Sequence, residues 1–184
     1  ILTKTTIAET IINGCKTVLI GPPNSGKSTI INNLAGSQKA IVSDIAGTTR
    51  DFVTAQCSVP PVYLEIFDTA GLDRVLIEKK GKLEQLSQKI SSDIISDADL
   101  ILFVLDISET LPSFDPELLD KIKNKKIITI LNKSDQPNNT KQSDLPEILQ
   151  NSVKINALKD KHMDELRNKI LYSLDVLDYD LNSV

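Results

Sequence analysis

The chain has 184 residues, of which 40% are hydrophobic, and a formal charge of −4 at pH 7. This length favours one domain with a single core. The acidic balance argues against a free-standing nucleic-acid-binding protein, which normally presents a basic face to phosphates. Cys15 and Cys57 have no metal-binding spacing, and one histidine cannot form a cluster, so we expect a cytoplasmic protein with reduced cysteines and no structural metal.

The sequence contains no apolar run that approaches the roughly 20 residues needed for a membrane-spanning helix. Residues 1–14 also lack the charged start and small-residue cleavage site of a secretory signal. We therefore expect no membrane partner. The chain does not begin with Met, which suggests a piece of a longer protein.

Short apolar runs alternate with helical patterns, which predicts an α/β fold: a mostly parallel, six-stranded sheet with one antiparallel edge strand and helices on both faces. In chain order we expect a helix at 7–12, a strand at 17–20, a helix at 28–34, strands at 52–58 and 62–67, a helix at 83–95, a strand at 100–105, a helix at 117–122, strands at 127–131 and 153–155, and a helix at 163–174. Residues 1–14 are predicted to form a leading segment, residues 15–174 the domain itself, and residues 175–184 an acidic tail or the start of a linker.

Two features refine this sheet. The strands at 52–58 and 62–67 are expected to pair as a hairpin around Pro60 and Pro61. The runs LILFVL and IITIL are continuously apolar, which is typical of central strands buried on both faces.

The segment GPPNSGKST, which starts at Gly21, fits the phosphate-loop pattern G-x-x-x-x-G-K-[ST] at every constrained position, between a predicted strand and a predicted helix. Gly21 and Gly26 allow the tight backbone that directs N–H groups at phosphates, next to a helix amino terminus. Lys27 is expected to reach the β- and γ-phosphates and Ser28 to ligate Mg²⁺. The predicted nucleotide-binding residues of this loop are Gly21, Asn24, Ser25, Gly26, Lys27, Ser28 and Thr29. A glycine turn without a ligand is the alternative, which the complete match disfavours.

The base is predicted to bind at ILNKSD, where a buried strand ends. The Asp135 carboxylate can accept two hydrogen bonds from the pyrimidine edge of guanine, whereas adenine would present an acceptor to it, a costly mismatch. Asn132 is expected to bond the base or brace the phosphate loop, and the Lys133 stem to cover the ring. The segment INAL falls where guanine nucleotide-binding domains have their last base-contacting loop, and the residues expected there are Asn156, Ala157 and Leu158, with asparagine in place of the usual serine.

Asp68 ends the apolar run LEIFD and is followed by TAG. A carboxylate at this strand tip can hold Mg²⁺ through water, and the Gly71 amide can sense a γ-phosphate. A plain strand-to-loop aspartate is the alternative. Leu72 stands where Ras-like proteins have the glutamine that orients the attacking water. Hydrolysis therefore requires another polar residue or a partner.

The segments GPPNSGKSTIINNLAG, IVSDIAGTTRD, DTAGL, DADLILFVLD and NKSD together resemble the tRNA-modification GTPases of the MnmE (TrmE) family, from about Lys16 to Ser173. The resemblance implies a Ras-like P-loop GTPase fold that binds and hydrolyses GTP to GDP. It also implies K⁺-dependent pairing of two G domains through their switch regions. In that family the G domain lies within a longer protein that modifies the wobble uridine of tRNA together with the flavoprotein MnmG.

The resemblance also implies the metal ligands. Thr49 is expected to ligate Mg²⁺ together with Ser28 and Asp68. No arginine finger is present in the phosphate loop or beside Leu72, and a bound K⁺ can replace its charge at the phosphates. The expected K⁺ ligands are Asn24, Ser43, Ile45 and Thr48. An ordinary loop-capping role is the alternative for Asn24.

In the family a glutamate replaces the missing glutamine by positioning the water. Counting forward from DTAGL reaches Lys80, whereas counting back from DADLILFVL reaches Glu84, and the difference indicates an insertion within residues 73–81. We take Glu84 as the candidate, with Glu78 second and an exposed helix glutamate as the alternative. Thr49, Gly71 and Glu84 are thus the predicted catalytic residues.

Two other functions fit the same motifs. One is a nucleotide-gated interaction module with little hydrolysis, because residues 73–81 differ from the family pattern. The other is a ribosome-assembly GTPase of the Era or Der type. DTAGL in place of DTPG or DTGG, and the lack of a basic RNA-binding segment, favour the MnmE resemblance over the latter, and NKSD disfavours a P-loop ATPase.

Overall fold

The computed structural model describes residues 4–35, 54–68 and 93–177. These residues form a six-stranded sheet in the order β2-β3-β1-β4-β5-β6. The strands are β1 (Cys15–Ile20), β2 (Thr54–Val59), β3 (Val62–Asp68), β4 (Leu100–Asp106), β5 (Lys126–Asn132) and β6 (Ser152–Lys154). Only the edge pair β2–β3 is antiparallel within this described sheet. The predicted fold class is confirmed.

The helices are α1 (Lys4–Asn13), α2 (Lys27–Ala35), α3 (Pro116–Ile122) and α4 (Asp160–Ser173), with 3₁₀ turns at Gln142–Asp144 and Glu147–Leu149. Residues 93–97 are also helical. Helix α3 begins where the Asp115 carboxylate accepts a hydrogen bond of 2.9 Å from the Glu117 N–H, with Pro116 at the first helical position. None of the described helices has the length and apolar character that a membrane span requires.

The sheet separates two apolar clusters. Leu19, Leu102 and Ile128 point to the face covered by α1, α2 and α4. Val18 and Phe103 point to the opposite face, covered by α3 and residues 93–97. This alternation follows the two-residue period of a strand. The continuous burial of β4 and β5 therefore reflects helices on both faces, as the apolar runs predict.

The observed elements lie within a few residues of the expected ones. The hairpin turns at Pro60 and Pro61 as predicted, whereas residues 52–53 and 83–92 lie outside the described part of the chain. Strand β6 lies one residue before its expected position. At the start of the expected acidic tail, Asp175 forms an ion pair with Lys126 and Val176 is buried, so these two residues pack against the domain.

Candidate nucleotide-binding site

The predicted site residues that the structure describes lie at the carboxyl edge of the sheet. Strands β1, β3, β4, β5 and β6 run in parallel, so their carboxyl ends lie side by side. Asp106 at the end of β4 pairs in register with Asn132 at the end of β5, and Asp68 at the end of β3 pairs with Leu19. Ligands of open α/β sheets bind at this edge.

The phosphate loop, residues 21–26, depends on two glycines. Gly26 has a φ of 100°, in the region that side chains avoid. A Cβ atom at Gly26 would collide with Asn132 Nδ2, and one at Gly21 would collide with the Val104 carbonyl oxygen. Asn24, an exposed residue, has a φ of 62°. The loop therefore packs closely against β4 and β5 because it has no side chain at these two positions.

Three polar side chains lie at the start of α2. The Lys27 ammonium donates hydrogen bonds of 2.7 Å to the carbonyl oxygens of Gly21 and Pro22, and the residue is only 4% exposed. Ser28 is exposed in the first helical turn, and Thr29 is half-buried. The first N–H groups of a helix have no partner within it, so Lys27 and the helix terminus together suit a phosphate group.

The residues at this edge also fit a magnesium ion. Mg²⁺ prefers oxygen ligands, usually one or two from the protein together with phosphate and water. The exposed Ser28 hydroxyl supplies one oxygen, and Asp68, a carboxylate residue, ends the strand next to β1. The donor set is therefore of the right chemical type.

Asn132 joins the phosphate loop to the predicted base-binding region. Its Nδ2 donates to the Ser25 carbonyl oxygen at 2.9 Å, and its Oδ1 accepts from the Ala157 N–H at 3.0 Å. The side chain is 3% exposed, so both amide groups are satisfied in a dry environment. Of the two roles expected for Asn132, the structure contains the bracing of the phosphate loop.

Lys133 is held by Asp106, a residue that the motifs did not single out. Lys133 has a φ of 61°, and its ammonium lies 2.5 Å from Asp106 Oδ2. Asp106 also accepts hydrogen bonds from the Ser108 N–H at 3.0 Å and the Ser108 hydroxyl at 2.6 Å. Burial of the carboxylate opposes its ionisation, but the bonds from Lys133 and Ser108 outweigh burial, and the pKa of Asp106 is lowered. The signal in the sequence was its place at the end of the strand LILFVLD.

Asp135 is exposed, and its carboxylate accepts a hydrogen bond of 3.2 Å from Gln136. The carboxylate expected to select the base is therefore accessible.

Next to the phosphate loop lies a cavity of about 320 Å³, whose walls include Pro22, Asn24, Asp106, Glu109 and Lys133.

The base loop, residues 156–158, is held by several side chains. The Asn156 N–H donates to His162 Nδ1 at 2.8 Å, and Asn156 Oδ1 accepts from the Leu158 N–H at 2.9 Å. The Ala157 carbonyl oxygen accepts from Asn33 Nδ2 at 2.5 Å. Asn156 and Ala157 are buried, whereas Leu158 is 76% exposed. His162 and Asn33 were not predicted as site residues, because their bonds go to backbone groups and belong to no sequence motif.

Several predicted residues lie outside the described part of the chain. These are Ser43, Ile45, Thr48, Thr49, Gly71 and Glu84, together with the second candidate Glu78. Asp68 is placed by its backbone within β3. The described residues therefore bring together the phosphate loop, Asn132, Lys133, Asp135 and the base loop, and Asn24 is the only predicted K⁺ ligand among them.

Comparison with known proteins identifies relatives along most of the chain. Residues 16–133 match the family described as 50S ribosome-binding GTPase. The tRNA modification GTPase MnmE of Lactobacillus gasseri is 42% identical over 161 residues, covering 87% of this chain and 34% of the relative. MnmE of Lactococcus lactis subsp. lactis is 41% identical over 157 residues, covering 85% of this chain and 33% of the relative. The chain thus spans about a third of the length of these curated relatives.

Solved structures show the same architecture. Era from Aquifex aeolicus bound to GDP·AlF₄⁻ is 32% identical, with a TM-score of 0.60 over 90% of this chain and 57% of that chain. Era in complex with MgGDPNP and nucleotides of 16S ribosomal RNA is 30% identical, with a TM-score of 0.58 over 86% of this chain and 56% of that chain. The G domain of FeoB from T. maritima, at 23% identity and a TM-score of 0.57 over 86% of this chain and 98% of that chain, shares the fold.

Proposed function

Because this chain belongs to the family of 50S ribosome-binding GTPases, and is therefore a GTPase domain, we propose that it is the G domain of an MnmE-type tRNA-modification GTPase. It binds GTP and hydrolyses it to GDP with Mg²⁺. The observation that carries the proposal is the position of Asn132, whose amide joins the phosphate loop to the base loop beside the exposed Asp135. The identity of 42% with an MnmE protein supports the type.

In this proposal, guanine binds between Asp135, the Lys133 stem and the base loop, and the phosphates bind over residues 21–29. Mg²⁺ would be held by Ser28, Thr49 and Asp68, and the Gly71 amide contacts the γ-phosphate. Lys27 exchanges its bonds to the Gly21 and Pro22 carbonyl oxygens for bonds to phosphate oxygens. Charged donors suit this exchange because they bind anionic acceptors more strongly than neutral carbonyl groups.

Hydrolysis also requires a positive charge near the transferred phosphoryl group and a residue that orients water. We assign the charge to a K⁺ ion bound by Asn24, Ser43, Ile45 and Thr48, and the water to Glu84. Two G domains pair through their switch regions and complete this site. Leu72, which has no polar group, supports the need for such an arrangement.

We infer that regions outside this domain contact tRNA and an MnmG-like flavoprotein during modification of the wobble uridine. The curated relatives are named tRNA modification GTPases, and this chain spans only about a third of their length. A cytoplasmic location is consistent with the free, buried thiols of Cys15 and Cys57.

A second candidate is a GTPase of the Era type that acts on RNA. The observation that favours it is the 32% identity with Era from Aquifex aeolicus. This identity is lower than that with MnmE, and the net charge of −4 opposes direct RNA binding by this domain.

The proposal is tested by GTP hydrolysis in KCl and in NaCl at matched ionic strength, with Mg²⁺ and over a range of protein concentrations. We expect stimulation by K⁺ of about tenfold or more, increasing with protein concentration, because a charge at this place contributes several powers of ten in related enzymes. Asn24→Ala is expected to remove the stimulation. Turnover that is independent of both K⁺ and protein concentration favours the Era type, and negligible turnover in both salts favours a nucleotide-gated interaction module.

The glutamate assignment has a separate test. Glu84→Ala is expected to lose K⁺-stimulated turnover while binding GDP normally, whereas Glu78→Ala is expected to retain turnover. The reverse result assigns the role to Glu78. Full turnover in both variants rejects both residues.

A further inference from the structure

The base loop receives a hydrogen bond from the helix that follows the phosphate loop. Asn33 lies in the last turns of α2, and its Nδ2 donates to the Ala157 carbonyl oxygen at 2.5 Å, across 124 residues of sequence. We propose that Asn33 is a positioning residue for guanine: it holds the base loop from the helix that starts at the phosphates. This inference rests on the proposed function, in which residues 156–158 contact the base.

Both backbone polar groups of Ala157 are bonded by asparagine side chains. Asn132 Oδ1 accepts from its N–H at 3.0 Å, and Asn33 Nδ2 donates to its carbonyl oxygen. Ala157 is 3% exposed, so a bond lost at either group leaves a polar atom with little access to water, which is costly. The two side chains together determine the orientation of the Ala157 backbone.

Asn33 is itself held from α4. Arg167 Nη2 donates to the Asn33 carbonyl oxygen at 2.8 Å, and Arg167 Nη1 lies 2.8 Å from Asp164 Oδ1. The last carbonyl groups of a helix lack partners within it, so the Arg167 guanidinium satisfies one of these groups and joins α2 to α4. Asn33 therefore reaches the base loop from a backbone that is bonded to a second helix.

The neighbouring residue provides a matched control. Asn32 has the same side chain on the same helix, but it is exposed, whereas Asn33 is half-buried. Replacement of either residue by alanine removes the same atoms and changes helix propensity equally. Only Asn33→Ala removes the bond to Ala157.

The test compares the affinities of wild type, Asn33→Ala and Asn32→Ala for GDP, ADP and inorganic tripolyphosphate, all with Mg²⁺, by competition with a fluorescent GDP analogue. We expect Asn33→Ala to weaken GDP binding by about tenfold, in line with an unpaired buried carbonyl group, and to lower the preference for GDP over ADP by the same factor. Tripolyphosphate binding should stay unchanged, because that ligand has no base. Asn32→Ala should behave as wild type.

Each result has a distinct meaning. Equal losses of GDP and tripolyphosphate affinity in Asn33→Ala would indicate damage to α2 and overturn the inference, as would unchanged GDP affinity. Asn33→Asp, which keeps the shape but cannot donate, should reproduce the loss for GDP alone, and a wild-type affinity in this variant also overturns the inference. A wild-type protein that does not prefer GDP to ADP would instead refute the proposed function.

Discussion

The base loop is held by side chains from other elements, whereas the phosphate loop owes its shape mainly to its own backbone. The Asn156 N–H donates to His162. The N–H and the carbonyl oxygen of Ala157 are bonded by Asn132 and Asn33. In the phosphate loop, two glycines allow close packing and Lys27 bonds to carbonyl oxygens of the same loop. In the proposed function, one site thus combines a preorganised surface for a flat base with charged groups that exchange partners when an anion binds.

The largest effect is expected at the phosphate loop. Lys27→Ala should weaken both GDP and tripolyphosphate by about 100-fold, because charge-assisted hydrogen bonds worth about 2–3 kcal/mol are lost. This pattern differs from the base loop, where a loss is expected for GDP alone. Competition binding with both ligands measures it.

Lys125→Ala is the matched control for this prediction. The Lys125 ammonium also donates to two backbone carbonyl oxygens, those of Ser96 at 2.5 Å and Ala98 at 3.0 Å, at the amino edge of the sheet. Its affinity for both ligands should equal that of wild type. An equal loss in both variants would show that general destabilisation, and not phosphate contact, causes the effect.

An intermediate effect is expected from Asp106, which lies between the two regions and bonds Lys133. The pKa of Asp106 is lowered in the folded protein, so its ionised form stabilises the fold. This contribution is complete above the unfolded pKa of about 3.9, and it is lost as the pH falls through the lower folded pKa. Urea unfolding from pH 6 to pH 3 should therefore show a steeper loss of stability in wild type than in Asp106→Asn.

Lys133→Gln supplies the control for the pH prediction. Without the ammonium, the carboxylate loses its charged partner. Asp106→Asn should therefore change the pH dependence of the unfolding free energy less in the Lys133→Gln background than in wild type. Equal changes in the two backgrounds would mean that the pair is not coupled.

The smallest effect concerns two buried hydroxyl groups that have no hydrogen-bond partner among the residues the structure describes, Ser25 Oγ in the phosphate loop and Thr129 Oγ1 in β5. Ser25→Ala and Thr129→Val should each raise the free energy of unfolding by about 1 kcal/mol, because an unpaired buried polar atom is removed. GDP affinity should stay within about twofold, since both substitutions keep the backbone N–H groups. Urea unfolding and GDP binding measure the two quantities.

The pair Ser25 and Thr129 also tests whether the phosphate loop depends on its side chains. Thr129 lies within a central strand, whereas Ser25 lies at the site. A gain in stability at both positions, with GDP affinity lost only in Ser25→Ala, would show that the serine hydroxyl bonds to the nucleotide. The phosphate loop would then depend on side chains as much as the base loop does.

The sequence predicted the strands well because continuous apolar runs such as LILFVL leave little choice of structure. It predicted helix starts less well. Helix α4 begins at Asp160, ahead of the first apolar residue Met163, and α1 begins at Lys4, ahead of Ile7. A polar first turn contains no apolar residue, so it does not appear in the apolar periodicity from which a helix is predicted. The 3₁₀ turn at Gln142–Asp144 was missed for the same reason.

The motifs singled out Lys27 and Asn132, whose side chains the structure places at the phosphate loop. Residues of the site were missed where a side chain acts on a group far away in sequence. Asn33 contacts Ala157 only because α2 packs against α4, the helix that follows the base loop, and Asp106 meets Lys133 only because β4 pairs with β5. Such contacts depend on tertiary packing, which local patterns do not encode.

The strand order also has a consequence for synthesis on the ribosome. Strand β1 lies between β3 and β4, so its partners begin only at residues 62 and 100, and the base loop follows at residues 156–158. Because chains are made amino terminus first, the apolar segment Cys15–Ile20 is synthesised before either neighbour. In the proposed function, a nascent chain can therefore bind nucleotide only when nearly all of this domain has been translated.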